Sequence, residues 1–159
     1  GLGTFRDLRK AKTAAELWSE PCSVGVSAAS IDVCAQDADP DRWSTPITSE
    51  YLRWRFGFEP LHYRSVEVAG GCCVFRVRRR GDLHEVAVCE WLSDRADTRA
   101  VRDLVRTAGD YAIAVGLSLR HGFLPLPRQG PAVTWRRLRS LHEPTLGQMS
   151  FSLGDLELF

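Results

Sequence analysis

The sequence has no long apolar segment and almost no net charge. None of its hydrophobic runs approaches the ~20 residues that a membrane-spanning helix requires. The formal net charge is +1, so no overall field attracts the chain to nucleic acid or anionic lipid. Residues 1–20 mix acidic and basic side chains and do not resemble an export signal. We therefore expect a cytoplasmic protein that binds neither a membrane nor a nucleic acid.

Cysteines are present, but they lack the spacing of a metal site. There are five, and the adjacent pair Cys72 and Cys73 would point to opposite faces of a strand, so the two cannot ligate one ion. We expect the cysteines to be small hydrophobic residues in a reducing compartment. A reactive thiol is the alternative.

Length and composition predict one soluble globular protein. The chain has 159 residues, of which 44% are hydrophobic and 26% charged, which is typical of a domain that buries a sizeable core. A stretch rich in aspartate and proline, residues 36–46, favours a loop. We divide the chain into an N-terminal helix, strand and loop segment (1–47) and a main domain (48–159), which together form one compact unit.

Apolar spacing predicts several elements in the first half of the chain. Residues 7–18 favour a helix and residues 23–33 an interrupted strand. Thr48 is placed to cap a helix that ends at a left-handed Gly57. Strands are predicted at 63–68, 72–78 and Leu83–Leu92, the last with apolar residues on both faces and hence central in its sheet. Val86 and Val88 share one face of that strand, and Trp91 lies on the other.

The second half continues with a helix and shorter strands. Asp97 or Thr98 caps a helix whose buried face includes Val101 and Leu104 and which Gly109 ends. Strands are predicted at 111–115, 132–137 and 149–153. The fold class is therefore α+β, with a mostly antiparallel sheet flanked by helices.

This order of elements resembles a known family. From Leu83 to Phe123 it is similar to the cofactor-binding half of the Gcn5-related N-acetyltransferase (GNAT) fold. Residues 51–56 (YLRWRF), 122–127 (GFLPLP) and 153–159 (LGDLELF) look like the C-terminal unit of bacterial proteins in which two GNAT units follow each other. The resemblance implies a GNAT-like fold, acetyl-CoA or another acyl-CoA as cofactor, and acyl transfer to an amine.

The resemblance places the cofactor at residues 95–100, Arg-Ala-Asp-Thr-Arg-Ala, where the family pattern is Arg/Gln-x-x-Gly-x-Gly/Ala. The free amides of a helix N-terminus bind phosphate groups, and we expect the backbone after Trp91 to part from its neighbouring strand and present them. Thr98 replaces the first glycine of the pattern, and Asp94 and Asp97 add negative charge. An ordinary capped helix start is the alternative. The implied cofactor-binding residues are Trp91, Leu92, Arg95, Thr98, Arg99 and Ala100.

Two residues are candidates for proton transfer. Glu90 lies near the end of the central strand, where the resemblance implies a general base; pairing with an arginine is the alternative. Ser118 occupies the position at which many GNAT enzymes have a tyrosine as general acid. His121 is interpreted as a surface histidine, and His84 and Glu85 as solvated residues beside the hairpin.

An arginine cluster and the overall function leave alternatives open. Arg76, Arg78, Arg79 and Arg80 permit nucleic-acid binding, but a solvated sheet edge that discourages strand pairing is favoured. Two functions are compatible with the resemblance. One is an acyl-CoA-dependent N-acyltransferase that acts on a small-molecule amine. The other is a non-catalytic GNAT-like module that contacts a second GNAT-like unit or another copy in a homodimer.

Overall fold

A computed structural model describes residue 11 and residues 13–32, 42–125 and 145–156. The predicted strand at 132–137, most of the predicted loop at 36–46 and the first part of the predicted helix at 7–18 lie outside these residues. In the remainder of that helix, only Ala14–Leu17 form a 3-10 turn. Within the described part of the chain, no helix has the length and apolar character needed to cross a bilayer.

One mixed sheet organises the described residues. Neighbouring strands run in the order β2-β3-β4-β5-β6, and β1 pairs with β4 beyond the end of β3. Only β5 and β6 are parallel. The predicted α+β class with a mostly antiparallel sheet is therefore confirmed. The strands are β1 (Ser19–Glu20), β2 (Val26–Ser27), β3 (Arg64–Val68), β4 (Gly71–Arg80), β5 (Leu83–Leu92) and β6 (Tyr111–Ala114).

The long central strands follow from the hairpins that join them. Gly70 and Gly81 adopt φ angles of 78° and 62° at the two turns, a conformation that glycine reaches without steric cost. Between these turns, β3, β4 and β5 pair in succession. The predicted position of β5 in the sheet interior is confirmed, because β4 and β6 flank it.

Helix α1 (Ser49–Phe56) covers one face of the sheet. Thr48 caps it as predicted, its hydroxyl accepting a hydrogen bond from the amide of Tyr51 at 3.1 Å. Leu52 and Phe56 are buried in a cluster with Tyr63 of the segment before β3. The predicted left-handed Gly57 is wrong: its φ is −83°.

Helix α2 (Thr98–Ala108) covers the opposite face. Asp97 caps it, and Val101 and Leu104 are its buried residues, as predicted. Leu104 packs in a cluster with Phe75 and Val88. The helix links β5 to β6 as a crossover, which explains why these two strands are parallel.

A β-bulge interrupts β5 near its end. Val74 pairs with Glu90 and Phe75 with Val88, so Cys89 is an extra residue on this strand. A bulge shifts the alternation of side chains by one residue. Trp91 consequently packs in the same cluster as Val88, and its predicted position on the opposite face is wrong.

Several short elements differ from the prediction. The interrupted strand at 23–33 is reduced to β2 and a 3-10 turn, Ala28–Ser30. The strand predicted at 149–153 is wrong: Met149 makes one bridge with Trp43, and a single helical turn, α3 (Leu153–Leu156), follows. Two short strands of the N-terminal segment, β1 and β2, join the sheet of the main domain.

The arginines of β4 form a buried charged layer. Arg76, Arg78 and Arg80 are buried and only Arg79 is exposed, so the predicted solvated edge is wrong for three of the four. Glu85 was also expected to be solvated, yet it is fully buried and accepts bonds from Arg78 (2.6 Å) and Arg80 (3.2 Å). Pairing with Glu85 offsets part of the cost of burying Arg78 and Arg80.

Candidate functional site

Glu90 lies at the centre of a polar cluster next to the bulge in β5. Its side chain is only 6% exposed, and its Oε1 accepts a 2.6 Å hydrogen bond from the Ser152 hydroxyl. Ser152 also bonds Asp155 at 3.0 Å, which brings two carboxylates to one hydroxyl. The cluster therefore joins the end of β5 to the turn before α3.

Burial controls the protonation of Glu90. Removal from solvent, together with the negative charge of Asp155, raises the pKa of Glu90 from 4.5 to about 7, against the opposing effects of the Ser152 hydrogen bond and of Arg55. Burial and the same two carboxylates raise the pKa of Tyr51 to about 12. Glu90 can therefore exchange a proton near neutral pH, as a general base must.

The C-terminal turn is anchored tightly over this cluster. Arg55 of α1 donates two hydrogen bonds to the carbonyl of Gly154, at 3.0 and 2.8 Å, and Thr45 donates one to Asp155 at 2.5 Å. A Cβ atom on Gly154 would lie 2.5 Å from Oε1 of Glu90 and 3.1 Å from the ring of Phe56. A larger residue here would therefore require the carboxylate of Glu90 to move.

The start of α2 is occupied by a carboxylate of the chain itself. Oδ1 of Asp97 accepts a hydrogen bond from the Ala100 amide at 2.9 Å, and Oδ2 accepts one from the Ala69 amide at 3.0 Å. The bonds from Ala100 and Ala69 are the main reasons that the pKa of Asp97 is lowered. Asp97 thus binds the helix start and the β3–β4 hairpin at once.

Further bonds close the turn between β5 and α2. The Ser93 hydroxyl accepts from the Arg95 amide at 3.0 Å and donates to the Ala69 carbonyl at 2.6 Å. The Trp91 indole donates to the Arg95 carbonyl at 3.0 Å. The amides of Arg95 and Ala100, which were expected to face an anion, are therefore engaged within the chain.

β5 continues to Leu92, beyond its last pair with β6, and the predicted parting of the two strands stays a prediction. Pairing between β5 and β6 ends at Val88 and Ala114. The indole of Trp91 packs edge-on against the ring of His121, with centroids 5.5 Å apart. Thr98 lies nearby, since a Cβ on Gly122 would be 3.7 Å from its methyl group. The side chains of Trp91, His121 and Thr98 therefore lie beyond the last pair of β5 and β6.

The remaining predicted cofactor residues are dispersed around the turn. Leu92 belongs to the buried cluster on the α1 side of the sheet, whereas Trp91 packs on the α2 side. Arg99 is 91% exposed and lies 3.8 Å from Asp103. Arg95, the other arginine expected near a phosphate, lies beside Gly70 at the tip of the β3–β4 hairpin.

Ser118 and Glu90 are not brought together. The amide of Ser118 donates to Nδ1 of His121 at 3.4 Å, and its hydroxyl lies 3.4 Å from the same nitrogen. Glu90 instead accepts a hydrogen bond from Ser152, in the turn before α3, and the charge of Arg55 in α1 acts on its pKa. His121 is buried, so its predicted surface position is wrong; burial, and secondarily Arg120, lowers its pKa.

Four residues around Glu90 were not singled out from the sequence: Tyr51, Arg55, Ser152 and Asp155. Ser152 is 62 residues away from Glu90 along the chain, and no local pattern relates such distant positions. The available signals are the runs 51–56 and 153–159, which contain Tyr51, Arg55 and Asp155 but were quoted only for the family resemblance.

Comparisons with known proteins identify no relative. No protein-family model matches the chain, and no curated protein or solved structure is significantly similar to it. Within the described residues, no three histidine, cysteine, aspartate or glutamate side chains are grouped so that they could hold a metal ion.

Proposed function

We propose that this chain is a GNAT-like domain that does not bind acyl-CoA and acts as a structural or interaction module. One observation carries this proposal: the carboxylate of Asp97 accepts hydrogen bonds from the Ala100 amide, in the first turn of α2, and from the Ala69 amide of the β3–β4 hairpin. In the GNAT family, which the order of elements resembles, those amides hold the pyrophosphate of the cofactor. In this chain the carboxylate of Asp97 takes the place that the pyrophosphate has in that family.

The charge and bonding of the turn support the same conclusion. A pyrophosphate at this position would have to displace Asp97 from Ala100 and from Ala69, and it would then lie beside an unpaired carboxylate. Like charges at such short separation repel strongly. Thr98 also contributes a side chain where the family pattern has none.

Exposed aromatic residues are the feature that favours an interaction role. Trp54 of α1 is 76% exposed, and Phe58, just after that helix, is 49% exposed. Aromatic residues are enriched in the cores of protein interfaces. A second GNAT-like unit or a second copy of the chain is the partner that the resemblance implies.

The second candidate function is an acyl-CoA-dependent N-acyltransferase acting on an amine. The observation that favours it is Glu90, because a buried carboxylate with a pKa near 7 suits proton removal from an attacking amine. In this alternative Asp97 would move away when the cofactor binds. The two candidates therefore differ in whether acyl-CoA binds at all.

Calorimetric titration with acetyl-CoA separates the two candidates. We expect no binding heat at millimolar cofactor, because the carboxylate of Asp97 already bonds the Ala100 amide and stands where the pyrophosphate would lie. Micromolar binding that is lost in an Arg95→Ala, Arg99→Ala double variant would contradict the proposal and support the enzyme. An Arg102→Ala, Arg106→Ala variant is the matched control, since it removes the same charge from positions of α2 away from the turn.

A further inference from the structure

An open cleft lies on the α1 side of the sheet, at the edge formed by β3. Its volume is about 850 Å³, within the range of roughly 300–1,000 Å³ that small-molecule sites occupy. Nothing in the proposed function uses this cleft. We infer that it binds an organic cation with an apolar body, such as an aryl-alkyl ammonium ion.

The cleft exists because β2 and α1 are both short. β2 pairs only with Arg64 and Ser65, so no other described strand pairs with the rest of this edge of β3. α1 ends at Phe56 and packs over Tyr63 and Val74. The neighbouring part of the sheet surface is open, and its lining includes Glu67, Cys72 and Leu92.

The walls of the cleft are apolar. Ile31 and Ile47 pack at the margin of the buried cluster that contains Leu92, and all three line the cleft. Burial of apolar area is the main source of affinity for a small ligand. The apolar part of the ligand would therefore lie between these two isoleucines and the surface of the sheet.

The charges at the rim determine the sign of the ligand. Asp32 and Glu67 are the charged residues among the described lining, and both are acidic. Asp32 already pairs with Arg53 at 2.6 Å. Glu67 is exposed and has no ion pair within the described part of the chain, although Arg95 approaches Gly70 at the same end. Glu67 is thus the group that would receive an ammonium ion.

Chemical-shift mapping with matched probes tests the inference. The probes are 2-phenylethylammonium, neutral 2-phenylethanol and anionic 3-phenylpropionate, each titrated into ¹⁵N-labelled protein at neutral pH. We expect the cation to bind most tightly and to move the amides of Ile47, Gly71 and Cys72. If the cation does not bind, the proposal that the chain does not bind acyl-CoA is unaffected, because the turn before α2 is followed separately through the Ala100 amide.

Two charge-neutralising variants complete the test. Glu67→Gln should weaken binding of the cation about two- to fivefold, as expected for loss of one exposed ion pair. Glu59→Gln removes the same charge from an exposed site that does not line the cleft, and it should leave the affinity unchanged. Equal binding of all three probes, no binding of the cation, or equal effects of the two variants would each overturn the inference.

Discussion

Replacing Glu85 with Gln is expected to lower the free energy of unfolding by about 3 kcal/mol, the lower end of what breaking a buried ion pair costs. Oε1 of Glu85 lies 2.6 Å from Arg78 and 3.2 Å from Arg80, and its Oε2 accepts a 2.9 Å bond from the Tyr111 hydroxyl. The amide keeps the volume and one acceptor oxygen, but it leaves two buried guanidinium groups without their counter-charge. Urea denaturation measures the change.

Asp82→Asn is the matched control for this prediction. Asp82 lies in the adjacent hairpin turn and is exposed, so the same loss of charge should change stability by less than about 0.5 kcal/mol. Equal effects of the two variants, or a loss below about 1 kcal/mol for Glu85→Gln, would mean that the charged layer of β4 and β5 contributes little to stability.

The second large effect concerns pH. Because the pKa of Glu90 is about 7 in the folded protein against 4.5 for the ordinary group, the unfolded chain releases this proton first as pH rises. Stability should therefore decrease between about pH 4.5 and pH 7, by about 3 kcal/mol in total. Below pH 4.5 both states hold the proton, so stability is at its highest with respect to this group and no longer changes with its titration.

The Glu90→Gln variant isolates the contribution of this group. It keeps an acceptor for Ser152 but cannot ionise, so the difference in stability between variant and wild type should change by about 2.5 kcal/mol from pH 5 to pH 8. His121, whose pKa burial lowers, is common to both proteins, so its contribution cancels. Glu59→Gln should give a profile parallel to wild type. A parallel profile for Glu90→Gln would contradict the raised pKa.

The parts of the fold that local patterns encode could be predicted from the sequence. The bounds of β5, the caps at Thr48 and Asp97 and the buried face of α2 depend on residues within one or two turns of each other. Capping and apolar periodicity act over just this distance. The same locality explains why Asp97 could be recognised as a cap.

The errors arise where distant segments meet. The bulge at Cys89 is a property of pairing between β4 and β5, and it decides which face Trp91 occupies. Glu85 was judged solvated because charged residues usually are, but its partners on β4 and β6 become apparent only once the sheet forms. The Ser152 contact with Glu90 has the same origin.

The state of the turn before α2 is tested most directly by following the amide signals of Ala69 and Ala100. We predict that both signals titrate together at a pH below 3.8, the ordinary pKa of aspartate, and that neither moves when millimolar acetyl-CoA is added at neutral pH. Saturable shifts of the Ala100 amide with acetyl-CoA would contradict the account, since they would show the cofactor replacing Asp97.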